Sequence, residues 1–319
     1  MHWPGLETAM GGKLAQCGQA IIDDPNVEIV ALACSPHKKA DWAEAAAAAG
    51  KHIFLNKPFA ESLDSVRRIG TAVEAAGVQL VHDIGIHRAH PLTAKLLGEL
   101  RGGVFGNPIG YFNAWSMTFS EDFARAEFWP ERLANPSESG GGELTNMGCY
   151  AIDYMLALFG MPKSIQARKS DFWGCYSHAG VENFGQIVVD YGTFYALLNS
   201  GKQPLNDVAE MDVAGALQPR HWHNLIELQF EGHNITVMPY ADFLVRDGEK
   251  IAVANYLAGY DFRSAFRQLT DAIEGGPAPE SGAHIAADGV ELLMSAYRSA
   301  VRNGEPVKLP LEDRVNPLV

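Results

Sequence analysis

The sequence predicts an α/β half followed by an α+β half: an incomplete parallel-sheet domain over residues 1–101, then a mainly antiparallel sheet domain over residues 102–319 that ends in helices across 261–303. Three observations carry this expectation. Through the first hundred residues, short apolar runs alternate with helical patterns, as βαβ units do. From about Gly102 onward, strand patterns succeed one another with few helices between them. A chain of 319 residues is also longer than one packed layer requires and suits about two domains.

Asn26 to Cys34 is a nearly unbroken apolar run, expected of a strand covered on both faces. After Ser35-Pro36, the alanine-rich segment Lys38 to Ala49 stops at Gly50, a helix with a glycine terminator. Lys51 to Leu55 reads as the next strand and Asn56-Lys57-Pro58 as a turn. Ser62 then opens a helix with Leu63, Val66, Ile69 and Val73 on one side, ended by Gly77, before a third strand at Val78 to Val81. Parallel sheets bind ligands at the carboxyl ends of their strands, where Ser35, Pro36, His37, Asn56, Lys57, Pro58 and the segment from His82 to His87 fall. Pro108 to Met117, Ile187 to Tyr191, Phe194 to Leu198, Asp207 to Val213, Leu225 to Phe230 and Ile235 to Met238 read as strands of the second half. Phe262, Phe266, Leu269 and Ile273 mark one amphipathic helix, and Ala286, Val290, Leu293, Tyr297 and Val301 another.

Gly140 to Asp153 is the stretch around which the chain is organised. Three consecutive glycines make sense where the chain turns tightly or something approaches its backbone. Beyond them Asn146, Tyr150 and Asp153 fall at i, i+4 and i+7, on one helical stripe expected to look away from the core, while the other side, with the apolar Leu144, Met147, Ala151, Met155 and Leu158, anchors the helix.

This segment resembles the signature of the Gfo/Idh/MocA oxidoreductases, named for glucose-fructose oxidoreductase and inositol dehydrogenase. In them a glycine triplet precedes Asp-x-Gly-x-(His or Tyr)-x-x-Asp. Here Asn146 stands where most members have Asp, and Tyr150 where many have His, as in the sugar and dihydrodiol dehydrogenase branch. Gly50 to Pro58 is similar to the family's Gly-Lys-His-Val-x-x-Glu-Lys-Pro, with Asn56 in place of glutamate. The resemblance runs from Asp23 to Pro310.

The resemblance implies an oxidoreductase that uses NAD or NADP to move a hydride at a hydroxyl carbon of a sugar, polyol or related small molecule. Lys57 would reach the nicotinamide ribose and the substrate. Tyr150 would exchange the hydroxyl proton, its pKa lowered by the ammonium, and Asn146 would hold substrate by hydrogen bonds. The cofactor is expected at Ser35, Pro36, His37, Asn56, Lys57 and Pro58, and the substrate near Asp153, Trp129 and His87. The antiparallel sheet would leave a face for a homodimer or homotetramer. Ahead of Asp23 no Gly-x-Gly-x-x-Gly turn is found, since Gly11-Gly12 leads into Lys13-Leu14. Relative to the family, the opening strand, its glycine loop, the next strand and its ribose-binding acid are expected to be missing, through a shortened chain or a start placed too far downstream. The alternative from another class is a non-catalytic binding or scaffold protein that has lost the cofactor.

Composition narrows the classes. Twenty-five basic against 38 acidic residues give a net charge of −13 with no basic run, which argues against nucleic acid. Apolar runs such as Ile29 to Cys34 and Met155 to Phe159 are far below the roughly 18 residues of a membrane-spanning helix. The amino terminus lacks the basic start and apolar core of a secretory signal, so a cytoplasmic location is expected. Cys17, Cys34, Cys149 and Cys175 are scattered like reduced thiols, and His82, His87 and His90 match no zinc spacing, so no metal is expected.

Overall fold

The computed structural model describes residues 18–84, 91–118, 135–171, 176, 180–203, 208–211, 217–220, 222–237, 243–252, 263–312 and 316–318. It opens with a short helix α1 (Gly18–Ile22), followed by β1 (Ile29–Leu32), α2 (Pro36–Ala48), β2 (His52–Asn56), α3 (Leu63–Ala76) and β3 (Leu80–Asp83). The three strands form a parallel sheet in the order β1-β2-β3, with Ile53 between Val30 and Leu80. The alternating pattern therefore folds as the sequence predicts. Pro36 takes the first turn of α2, where its missing N–H costs nothing. The Ser62 hydroxyl caps α3 by accepting from the Ser65 N–H at 3.2 Å, and Gly77 ends it in the left-handed region, φ 65°.

α4 (Pro91–Arg101) leads into β4 (Pro108–Thr118), the longest strand. Two short turns, α5 (Pro136–Ser139) and α6 (Glu143–Asn146), precede the buried helix α7 (Gly148–Phe159). There follow β5 (Ser164–Ser170), β6 (Phe184–Asp190), β7 (Tyr195–Gln203), β8 (Val208–Met211), β9 (Leu217–Arg220), β10 (Trp222–Phe230), β11 (Asn234–Val237), β12 (Phe243–Arg246) and β13 (Glu249–Ala252). The chain closes with α8 (Arg263–Ile273), α9 (Ala283–Val301) and β14 (Val307–Lys308).

Nine of these strands make one sheet in the order β13-β12-β11-β10-β4-β7-β6-β5-β14. Every pairing is antiparallel except β4 with β7, which run parallel with Ala114 beside Asn199. β8 and β9 pair separately. The mainly antiparallel sheet expected from the sequence is thus present, with one parallel seam at its centre. The strands β5, β12 and β13 were not among those legible in the sequence; they are short or carry polar residues at alternate positions, as in Ser-Ile-Gln-Ala-Arg-Lys-Ser of β5.

One buried cluster runs from the parallel sheet through α7 to the large sheet, including Ile53, Leu55, Leu96, Leu144, Met155, Ile187, Leu228 and Tyr297. A second small cluster joins Val81 to Ala265 and Leu269, with Ile29, Phe54 and Ile273 packed on it. Helix α8 thereby covers one face of the parallel sheet. The buried stripe differs from the one expected: Ala265, Leu269 and Ala272 are buried and Ile273 packs on them, whereas Phe266, expected on the stripe, is 46% exposed at its edge, and Phe262 lies outside the described residues. Truncating the fully buried Leu269 to alanine is expected to cost about 2–4 kcal/mol in urea-unfolding measurements, through lost burial and a cavity under β3.

Candidate active site

The carboxyl ends of β2 and β3 face the segment α6–α7, and the two meet at Lys57. Its Nζ donates to the Asn146 carbonyl oxygen at 2.9 Å and to the Asn146 side-chain Oδ1 at 2.5 Å. The same ammonium lies 5.2 Å from the centre of the Tyr150 ring. A lysine has three N–H donors; two are fixed on Asn146, and the third has no hydrogen-bond partner among the described residues. Lys57, Asn146 and Tyr150 are thus one constellation. Cys149 and Asp153, one position before and three after Tyr150 on α7, line an adjoining narrow crevice that is partly open to solvent. Pro58, His82 and Ile84 form its wall on the parallel-sheet side, and Ala286 and Val290 of α9 its floor.

Asn146 and Tyr150 do not sit on one continuous helix. Met147 interrupts it, with φ −102° and ψ −43°, so that Asn146 ends α6 and Tyr150 lies in the first turn of α7. The stripe expected to look away from the core is itself buried: Tyr150 and Asp153 are each 5% exposed. The apolar side packs as expected, with Leu144, Met147, Ala151, Met155 and Leu158 all buried.

The approach foreseen at the glycine triplet is made by the chain's own residues, a side chain at Gly141 and backbone at Gly140 and Gly142. Gly141 has φ 131°, and a Cβ there would overlap the Tyr297 hydroxyl; a Cβ on Gly142 would overlap the Glu182 carbonyl oxygen. The Gly142 N–H donates to both Tyr297 Oη and Glu182 Oε1 at 3.1 Å, and the Leu144 N–H donates to Glu182 Oε1 at 3.0 Å. A buried carboxylate therefore serves the free N–H groups at the start of α6. Burial pushes the Glu182 pKa up, opposed by the Tyr297 hydroxyl that donates to it at 2.7 Å.

On the parallel-sheet side, the fully buried Lys39 of α2 donates to the carbonyl oxygens of Asn56 and Pro58 and so pins the turn that carries Lys57. The Asn56 amide donates to Asp83 Oδ2 at 3.0 Å. Burial raises the Asp83 pKa to about 6, with the Asn56 hydrogen bond and the charges of Lys39 and Lys57 pulling the other way. Ser35 and Pro36 begin α2 beyond the end of β1, and His37 Nδ1 lies 3.8 Å from Glu138 of α5. They stand at a neighbouring strand end rather than in contact with the Lys57 constellation. His87 and Trp129 lie outside the described residues. Lys39, Asp83, Glu143 and Glu182 were missed by sequence reasoning, each being polar in sequence and buried only through long-range packing; Tyr297 was foreseen on the apolar stripe of its helix but not at the glycine triplet. No group of three His, Cys, Asp or Glu placed to hold a metal occurs among the described residues, nor any helix long and apolar enough to cross a membrane.

Gly142→Ala is expected to destabilise the protein by more than about 3 kcal/mol in urea unfolding, because the backbone of Glu182 blocks the added methyl. Asp83 gives a pH signature. Its folded pKa of about 6 exceeds the unfolded value of 3.8, so the folded state binds the extra proton between those values and stability falls as pH rises through that window. Asp83→Asn should remove this slope, gaining on the order of 1–3 kcal/mol relative to the parent between pH 4 and pH 7 in parallel unfolding curves.

Two family descriptions match the sequence: "Oxidoreductase family, NAD-binding Rossmann fold" over residues 8–83 and "GFO/IDH/MocA C-terminal domain" over residues 100–202. Among curated relatives, D-xylose 1-dehydrogenase (NADP(+)) 2 of Haloferax volcanii is 27% identical over 187 residues, 59% of this chain and 52% of that protein. D-xylose dehydrogenase of Paenarthrobacter nicotinovorans is 30% identical over 154 residues, 47% of this chain and 38% of that protein. The matched region spans about half of these relatives' length or less. Among solved structures, levoglucosan dehydrogenase in complex with NADH and levoglucosan superposes with a TM-score of 0.81 at 18% identity, covering 98% of this chain and 89% of that one. The WlbA dehydrogenase of Bordetella pertussis in complex with NADH and UDP-GlcNAcA gives 0.75 at 19% identity, covering 96% and 86%. At those identities the likeness is one of fold. The parallel sheet followed by the mixed sheet is the architecture of these proteins, and the two family matches together span more than half of the 319 residues. The chain belongs to the Gfo/Idh/MocA oxidoreductase family.

Proposed function

We propose that this chain is an NAD- or NADP-dependent oxidoreductase that moves a hydride at a hydroxyl carbon of a sugar or polyol. The single observation that carries the reading is the meeting of Lys57 with Asn146 and the Tyr150 ring at the carboxyl end of the parallel sheet. The relatives' names, D-xylose and levoglucosan dehydrogenases, support the substrate class. The alternative of a non-catalytic scaffold gains no support from them.

The described residues suit the nicotinamide end of such a cofactor. The uncommitted third N–H of Lys57 is a charged donor for a ribose or substrate hydroxyl, and the crevice beside it has an apolar lining broken by His82 and Asp153. Asn56, Lys57 and Pro58 would hold that end, with Ser35 to His37 at the next strand. When bound, the nicotinamide supplies the hydride acceptor or donor.

Tyr150 takes up or returns the proton of the substrate hydroxyl at its phenolic oxygen. Lys57 orients the hydroxyl oxygen and stabilises negative charge as it develops there and on the phenol, an effect strengthened by the low dielectric of a buried site. Asn146 holds the ammonium in place through two acceptors. Asp153 offers a carboxylate to substrate hydroxyls within the crevice. Val188, Tyr195 and Leu197 leave an apolar patch on the outer face of β6 and β7, 38%, 64% and 36% exposed, which favours a homodimer or homotetramer through the large sheet.

The test is a spectrophotometric assay of the reduced cofactor with NAD⁺ or NADP⁺ and a panel of aldoses, anhydrosugars and polyols. Turnover with at least one member is expected. Lys57→Met and Tyr150→Phe should each lower kcat/KM at least about 100-fold while melting cooperatively. Turnover in neither cofactor, or full activity in both variants, would sink the reading.

A further inference from the structure

Asn146 occupies the position at which most of the family has a carboxylate, yet the site is not without a buried anion. Glu143, three residues earlier and fully buried, is the first residue of the turn that Asn146 ends. Its Oε2 accepts from the Asn146 side-chain amide at 2.9 Å. Its Oε1 lies 3.3 Å from Lys202 Nζ, itself 3% exposed, and accepts from the Tyr176 hydroxyl at 2.8 Å. The Asn146 amide is therefore held at both ends, N–H to Glu143 and oxygen to Lys57.

We propose that Glu143 is the anion of the Lys57 centre: a positioning residue that turns the Asn146 oxygen onto the ammonium, taking over from one helical turn away the charge a carboxylate at 146 would carry. This rests on the functional reading above. An amide that can be flipped is here fixed by its two charged neighbours, since the N–H side cannot face an ammonium nor the oxygen a carboxylate. The displacement also changes the field at Tyr150. A carboxylate in contact with Lys57 would cancel much of its charge, whereas a neutral amide in contact, with the carboxylate behind it, secures the geometry and leaves more of the ammonium's field at the phenol. Lys202 from β7 balances Glu143 in turn, so that the carboxylate is not left as an unpaired buried charge.

A consequence runs against the family pattern. Asn146→Asp, although it installs the commoner residue, would place a second carboxylate within hydrogen-bonding distance of Glu143. It should lower Tm by roughly 3 °C or more and reduce kcat. Glu143→Gln should also lower Tm, because Lys202 loses its partner. Combined, the two losses should be clearly less than additive, since the double variant removes the like-charge pair. In kinetics, Glu143→Gln should lower kcat about tenfold with KM little changed, and lower it no further in a Lys57→Met background.

Additive Tm losses for 143 and 146, or an equal kcat loss from Glu143→Gln with and without Lys57, would overturn the proposal. The melting cycles need no cofactor. Should the parent show no turnover, the functional reading falls by itself, and the Tm cycle between Glu143→Gln and Lys57→Met decides the present one: coupled losses uphold it and additive losses refute it.

Discussion

Lys57 donates to both the carbonyl and the side-chain oxygen of Asn146, and through these two bonds the end of the parallel sheet is fixed to the helices that cross the large sheet. Neither element places a reactive group by itself. The lysine rides on a turn held from below by Lys39, and the asparagine on a turn held from behind by Glu143. A charge held on a rigid frame at both ends is already oriented before a ligand arrives. The crevice lined by Cys149, Asp153, His82 and α9 opens beside that link.

The region is dense in buried charge. Lys39, Asp83, Glu143, Glu182 and Lys202 are all buried within a few elements of one another. Buried ions stabilise little on balance, because desolvation offsets their attraction, but losing one partner is expensive. The cooperation of this region with the glycine triplet is visible at Gly142, whose N–H meets Tyr297 from 155 residues further along the chain. The C-terminal helix α9 is in this sense part of the site: its Tyr297 shapes the triplet, and its Ala286 and Val290 line the crevice.

Much of the architecture was legible because hydrophobic period and punctuation agree locally. Ser62 and Gly77 bracket α3 as capping chemistry requires, and the alanine-rich run after Pro36 is a helix. The site was legible in part, at Lys57, Asn146 and Tyr150, because the motif fixes which residues converge. The reading of the polar stripe as a face turned away from the core failed, since a polar residue looks the same in sequence whether water or another buried group satisfies it. Tyr150 and Asp153 are buried, and Asn146 spends its amide on Glu143 and Lys57. The break at Met147 was likewise hidden, because methionine carries no helix-terminating chemistry of its own.

The succession of most strands and helices and the caps were determined by the sequence alone, since they depend on periods of two and 3.6 residues and on backbone preferences within a few positions, whereas the pairing of Lys57 with Asn146 and Tyr150 was implied by the family resemblance. The tertiary structure decided the rest: that β4 runs parallel to β7, that the glycines make room for Tyr297 and Glu182, and that Glu143 stands behind Asn146. The first two join residues far apart in the chain, the third depends on which way two neighbouring side chains turn inside a buried network, and the strength of all three comes from excluding water, which no local pattern of residues records.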